Sequence, residues 1–292
     1  MASARFGSPT RSLVLGGGGA VGVGWQIGFL TGLRKSGIDL AGAEAIVGTS
    51  AGALVGALLA GGREVTDALA GLAALGQDIA PDLLASGNAA FLNALRQASF
   101  GNDPRQALRI LGRASREATT PSRDAYNALF SSLDDIPWPA GFRCTSIDVE
   151  TGDLVVWSQE SGAALRDAVA ASCCVPLLFP TVVIEGRHHM DGGVLSHLNL
   201  PAAPPSDVVV VLSCHPLGSP GDSALATSIA GANEELARLR DTARVLAIEA
   251  DFSEIEAPPH MLMDPNLAVH ALQIGERQAL REFETIRSAW NS

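Results

Sequence analysis

Within its first sixty residues the chain twice runs from a short apolar segment, through a glycine-rich turn, into a helical pattern. Residues 12–15 lead into Gly16-Gly17-Gly18-Gly19, and residues 45–47 lead into Gly48-Thr49-Ser50-Ala51-Gly52. Each passage reads as a strand, a tight loop and a helix. Past the first loop, Val23, Ile27, Leu30 and Leu33 recur near helical spacing, and Gly37 is a natural stop. Past the second, residues 51–60 form another helix. A chain that begins β-loop-α-β-turn-α brings its strands together in parallel, because the helix carries the chain back across the sheet. The fold class that follows is α/β, with a mainly parallel sheet covered by helices.

Downstream, residues 64–134 read as helical throughout, with Pro104 and Pro121 near helix starts. Strands are expected at 142–149 and 154–157, then a helix at 163–173. Residues 181–184 and 187–190 flank Glu185-Gly186, a hairpin signal. The run Val208-Val-Val-Val-Leu212 has the pattern of a fully buried strand. A further strand is expected at 244–249 and a long amphipathic helix at 266–290. No repeat and no linker divides the chain, so residues 10–292 read as a single domain. The 31 glycines, against one Tyr and nine Phe, suit close helix-on-sheet packing. Residues 45–62 are apolar, but Gly/Ala-rich and interrupted at Gly48, so a core helix is expected there and not a membrane span.

A formal charge of −11 argues against a dedicated nucleic-acid binder and against electrostatic docking to anionic membranes. Cys144, Cys173, Cys174 and Cys214 lack metal-ligand spacing and read as free thiols of a reducing compartment. The first twelve residues carry no apolar run, so no signal peptide is expected. Six arginines fall at positions 96, 105, 109, 113, 116 and 123. They read as a solvated helix face balanced by Asp103, Glu117 and Asp124; a basic cap for phosphate head groups is the sharper alternative.

The candidate chemistry sits in the two turns. A Gly-x-Ser-x-Gly between a strand and a helix pushes the central side chain outward in a strained backbone conformation. The helix that follows aims its positive N-terminal end at Ser50. The four-glycine loop exposes backbone N–H groups, which suit either a pyrophosphate or an oxyanion. Gly17, Gly19 and Gly22 match a dinucleotide fingerprint, but the acidic residue this needs belongs at the end of the second strand, and Asp39 precedes that strand. An oxyanion hole beside Ser50 is therefore favoured. The base is left open by spacing alone. His188, His189, His197, His215, His260 and His270 are the available histidines, and Ser50, Asp191 and His215 fall in the chain order of an α/β-hydrolase triad. Asp191, in His189-Met190-Asp191-Gly192-Gly193, reads on spacing alone more as a turn residue than as a base.

Taken together, the Gly-rich loop, Gly48-Thr-Ser-Ala-Gly52 and Asp191-Gly-Gly resemble the patatin-like phospholipases. The stretch 171–180 and Asn199-Leu-Pro201 resemble that family's approach to its acidic residue, and the likeness covers roughly residues 12–205. The resemblance implies a three-layer α/β/α fold with a helical cap. It also implies a Ser50–Asp191 dyad without histidine, and an oxyanion hole at Gly17, Gly18 and Gly19. The implied reaction is hydrolysis of phospholipid, lysophospholipid or neutral lipid esters through an acyl-enzyme. No cofactor, metal or nucleic-acid partner is expected, only an acyl-ester substrate with transient contact at a membrane surface, in the cytoplasm or peripheral to a membrane. Gly16 and Val21 depart from the family's usual Asp and basic residue, which bears on substrate class more than on catalysis. Phe91, Leu92, Leu95 and Phe100 are candidate acyl-chain contacts. The alternatives are a carboxylesterase or acyltransferase with a histidine triad, and a lipid-binding module with a dead site.

Overall fold

The structure is a computed structural model and describes residues 9–97, 103–219, 223–255 and 262–291. Phe100 and His260 lie outside the described residues. The opening units form as expected: β1 (Arg11–Leu15), α1 (Gly19–Lys35), β2 (Ala45–Gly48) and α2 (Ala51–Ala60). α2 is buried along most of its length, which explains its apolar composition. No helix among the described residues is long and apolar enough to cross a membrane.

The helical stretch comprises α3 (Ala68–Asp78), α4 (Pro81–Gln97), α5 (Pro104–Glu117) and α6 (Arg123–Ala128). Asp103 caps α5 by accepting from the Gln106 N–H, with Pro104 in the first turn, where its missing N–H costs nothing. Then come β3 (Phe142–Asp148), β4 (Leu154–Trp157), α7 (Leu165–Cys173), β5 (Val182–Ile184) and β6 (Arg187–Asp191). Glu185 and Gly186 both take positive φ, the conformation a two-residue hairpin turn requires. β7 (Val208–Ser213), α8 (Ala226–Arg240), β8 (Arg244–Glu249) and α9 (Ala268–Trp290) complete the chain. α8 had no counterpart in the sequence reading; its apolar stripe is short and interrupted by polar residues.

The sheet runs β5-β6-β3-β2-β1-β7-β8, with β4 beside β3. β3, β2, β1, β7 and β8 are mutually parallel, while β4, β5 and β6 pair antiparallel. Alternation divides the core into two layers. Leu13, Leu15, Ile46, Val210 and Leu212 pack with α1, α2, α7 and α9. Val14, Val47, Val209 and Val211 face α8 and the segment around Leu198–Ala202. Both faces are therefore covered, which is why β7 is apolar at nearly every position.

α1 and α9 pack closely because α1 carries Gly24, Gly28 and Gly32 at four-residue spacing. A Cβ on Gly28 would lie 1.9 Å from the Leu272 carbonyl oxygen, and one on Gly24 2.0 Å from that of Ala268. Gly275 answers from α9, facing the Trp25 carbonyl. Trp25, fully buried, donates its indole N–H to Gln278 of α9 and stacks at a tilt on Phe29.

Candidate active site

Parallel pairing fixes where the two glycine turns meet. Leu15 is in register with Gly48, so both loops leave the same edge of the sheet, and the Thr49 N–H donates to the Leu15 carbonyl. Leu15 is also in register with Leu212, so the end of β7 delivers Cys214 and His215 to that edge.

Ser50 adopts φ 54° and ψ −119°, a region that non-glycine residues enter at a cost of roughly 1–3 kcal/mol. The strain is held from several sides. The Ser50 N–H donates to Ser172 Oγ of α7, and the Cys173 thiol donates to the Ser50 carbonyl. Gly48 and Gly52 admit no side chain, since added Cβ atoms would fall 2.3 Å from the Gly52 oxygen and 2.0 Å from the Leu15 oxygen respectively. Ser50 caps α2 without a side-chain hydrogen bond to the helix, so its hydroxyl is not consumed there.

Asp191 reaches Ser50 along the edge of β3 that also carries β2. On one edge of β3, β2 pairs at Phe142–Cys144 and β6 at Ser146–Asp148, while β4 occupies the other edge. β2 and β6 therefore run toward each other along one edge, and their carboxyl ends meet over Thr145. Gly48 lies opposite Cys144 and Asp191 opposite Ser146. Gly192 backs onto Thr145, where a Cβ would come 2.6 Å from the hydroxyl. Ser50 and Asp191 line one cavity, only 8% and 4% exposed.

Burial pushes the Asp191 carboxyl up to about 7, against the neighbouring Ser50 hydroxyl and the Gly193 N–H, which favour its charged form. The Gly193 bond is 2.7 Å. Burial thus sets the carboxylate in the range of a general base working near neutrality.

Gly17, Gly18 and Gly19 line the same cavity. Gly17 differs from expectation as a donor, because its N–H is committed to the His197 carbonyl at 2.8 Å. Gly18 and Gly19 open α1, whose N-terminus faces the cavity alongside that of α2. The loop is fixed from below. Gln26, fully buried, donates to the Gly16 carbonyl and to Cys214 Sγ. Gly18 packs so closely on Cys214 that a Cβ would come within 2.5 Å of it. Asp39 caps a short 3-10 turn by accepting from the Ala41 N–H, a local role away from the glycine loop.

In the sequence, Asn199 stands only as part of the segment resembling the family's, with no role of its own. It is fully buried with φ 49°, and its Nδ2 lies within hydrogen-bond distance of Thr49 Oγ1, Thr145 Oγ1 and the carbonyls of Gly192 and Ser196. Thr49 and Thr145 also bond each other at 2.9 Å. One amide thereby ties the turn bearing Ser50 to the loop after Asp191. A lone Asn before Leu-Pro carries no local signal of this; only its left-handed conformation marks it, and that is invisible in sequence.

Among the histidines, His197 and His215 line the cavity, 5.0 Å apart in an edge-to-face pair. Burial lowers both, His215 to about 4, so both are neutral. His197 Nε2 bonds Ser213 Oγ. His189 is buried against Trp157 and bonded to Ser146, His188 bonds Thr181, and His270 is exposed on α9. Of the expected acyl contacts, Phe91 and Leu92 line the cavity, whereas Leu95 is buried in the main core. None of the six arginines lines the cavity at Ser50. Arg105 pairs with Asp153, Arg109 with Asp103 and Arg116 with Glu150, around α5.

A family model described as Patatin-like phospholipase matches residues 13–204. A Mycobacterium tuberculosis protein described as an uncharacterized NTE family protein is 29% identical over 202 residues, which are 68% of this chain and 28% of that protein. The chain therefore spans well under a third of the matched relative's length. Among solved structures, VipD from Legionella pneumophila aligns over 95% of this chain and 67% of its own, with 14% identity and a TM-score of 0.44. The type III effector protein ExoU aligns over 96% and 53%, with 16% identity and a TM-score of 0.43.

Proposed function

The chain belongs to the patatin-like phospholipase family, and from that premise we propose that it hydrolyses lipid acyl esters with Ser50 as nucleophile and Asp191 as base. Asp191 takes the Ser50 proton as Oγ bonds to the ester carbonyl carbon. The oxygen becomes an oxyanion, held by the Gly18 and Gly19 N–H groups and the positive ends of α1 and α2. Collapse breaks the bond to the leaving alkoxide, which takes the proton from Asp191. Water then repeats the sequence on the acyl-enzyme, returning free acid and Ser50. The family fold extends in this reading beyond the matched residues, since β7 pairs with β1 and α9 covers α1.

The observation that carries the proposal is the shared cavity of Ser50 and Asp191, with a carboxyl tuned to about 7. An Asp at its ordinary value is a poor match for a serine hydroxyl at neutral pH. A histidine triad has less support. His215 lines the cavity, but burial is the cause of its lowering, and no bond ties it to Ser50 or Asp191 among the described residues. The test is labelling by a fluorophosphonate together with release from p-nitrophenyl acyl esters. Wild type should react in both and Ser50→Ala in neither. Equal turnover by Ser50→Ala would remove the serine mechanism, and a folded wild type inert in both would mean a binding module.

A further inference from the structure

Two cavities meet at Ser50. The first holds Asp191, Asn88, His197, His215 and Ser228. The second lies beneath α3 and α6 and is walled by Leu54, Leu72, Tyr126, Leu129, Phe130 and Phe179. Ser50, Gly19, Val175 and Met263 border both. The second is almost wholly apolar at its surface; its one phenol, Tyr126, is turned away to the Ala170 carbonyl.

Proton transfer decides which cavity takes which half of an ester. The leaving oxygen must receive its proton from the group that deprotonated Ser50, so it lies on the Asp191 side. The acyl chain then points the other way, into the apolar cavity.

The leaving-group side has a distinctive charge inventory. The chain has 20 Lys and Arg residues, and none of the described ones lines either cavity. Outside the described residues the only Lys or Arg is Arg5. The two histidines on this side are held neutral by burial. Val21, on α1 beyond the glycine loop, is core, 1% exposed. Among the described residues the one ionisable acid lining the cavity is Asp191, negative in its working form. A phosphate placed next to the scissile ester would thus meet a carboxylate and no cation, and desolvating an unpaired anion is costly.

Resting on the hydrolase reading above, we propose that the substrate is an uncharged acyl ester: its acyl chain occupies the Leu72–Phe130 cavity, and a neutral alcohol such as glycerol, not a phosphorylated head group, leaves through the Asp191 cavity.

The experiment compares purified full chain on monoacylglycerol and lysophosphatidate of the same acyl chain, with a p-nitrophenyl ester of that chain as reference. The kcat/KM for monoacylglycerol should exceed that for lysophosphatidate by at least about tenfold, the effect of one unpaired charge. Phe91→Arg adds a cation to the half-exposed wall of the first cavity; it should narrow that ratio by about threefold or more. Leu72→Phe should lower the ratio of long-chain to short-chain ester turnover without moving the monoacylglycerol-to-lysophosphatidate ratio. Equal or preferential cleavage of lysophosphatidate, with the p-nitrophenyl ester also cleaved, overturns the neutral-ester inference and leaves the hydrolase reading standing. No turnover of any of the three by folded protein overturns both.

Discussion

The burial of Asp191 makes a paired prediction about rate and stability. Its carboxyl is raised from an ordinary 3.8 to about 7, chiefly by desolvation. The ionised form is the base, so kcat/KM on an uncharged ester should climb with unit slope up to about pH 7 and then level. At pH 5 the rate should stand roughly 100-fold below the plateau. For stability the sign is opposite. Below pH 4 the carboxyl is protonated in both folded and unfolded chains, and burial costs nothing. Between pH 4 and pH 7 the unfolded chain releases the proton while the folded chain retains it, so the folded state loses ground as pH rises. Above pH 7 the penalty is complete, at about 4 kcal/mol for a shift of this size. Asp191→Asn removes the titration. Its stability relative to wild type, from urea denaturation at pH 4, 5.5, 7 and 8.5, should therefore rise by up to about 4 kcal/mol across the series and then flatten. The same variant should lose nearly all esterase activity at every pH. A kcat/KM flat from pH 5 to 8 refutes the role of this carboxylate, as does a stability difference independent of pH. Should Asp191→Asn remain active while His215→Ala is inert, the triad replaces the dyad.

Two other perturbations test how the site is held. Asn199→Ala removes the donor that the Ser196 and Gly192 carbonyls and the Thr49–Thr145 hydroxyl pair share. A stability loss of about 1–3 kcal/mol by denaturant titration is expected, with kcat falling more than KM changes; unchanged kcat would show that the amide does not position Ser50. Gly28→Ala drives a methyl into the Leu272 carbonyl, and the α1–α9 contact cannot yield without separating the helices. A fall in Tm of more than about 5 °C is expected by calorimetry, and a neutral result would mean that α9 does not sit against α1 in solution.

Much of the fold was legible because its signals are local. Apolar runs ending in glycine, and periods of two and 3.6, report backbone preferences over a few residues, and they located β1, α1, β2, α2 and the β5–β6 hairpin. The Ser50 turn was legible for the same reason: glycines two positions away admit the close backbone approach it needs. The helix α8 was not, since the sheet face formed by Val14, Val47, Val209 and Val211 supplies its stability and its own sequence supplies little.

The sequence by itself determined that two glycine turns would emerge at one edge of a parallel sheet, because steric limits and side-chain periodicity act within each segment. Tertiary structure alone decided that β2 and β6 share one edge of β3, bringing Asp191 to Ser50 in a place dry enough to change its acidity. It also decided that the Gly17 N–H is spent on the His197 carbonyl and that no arginine among the described residues lines the cavity. Those outcomes depend on pairing register and on what is packed around each group, and desolvation is a property of the assembled surroundings that no residue carries alone.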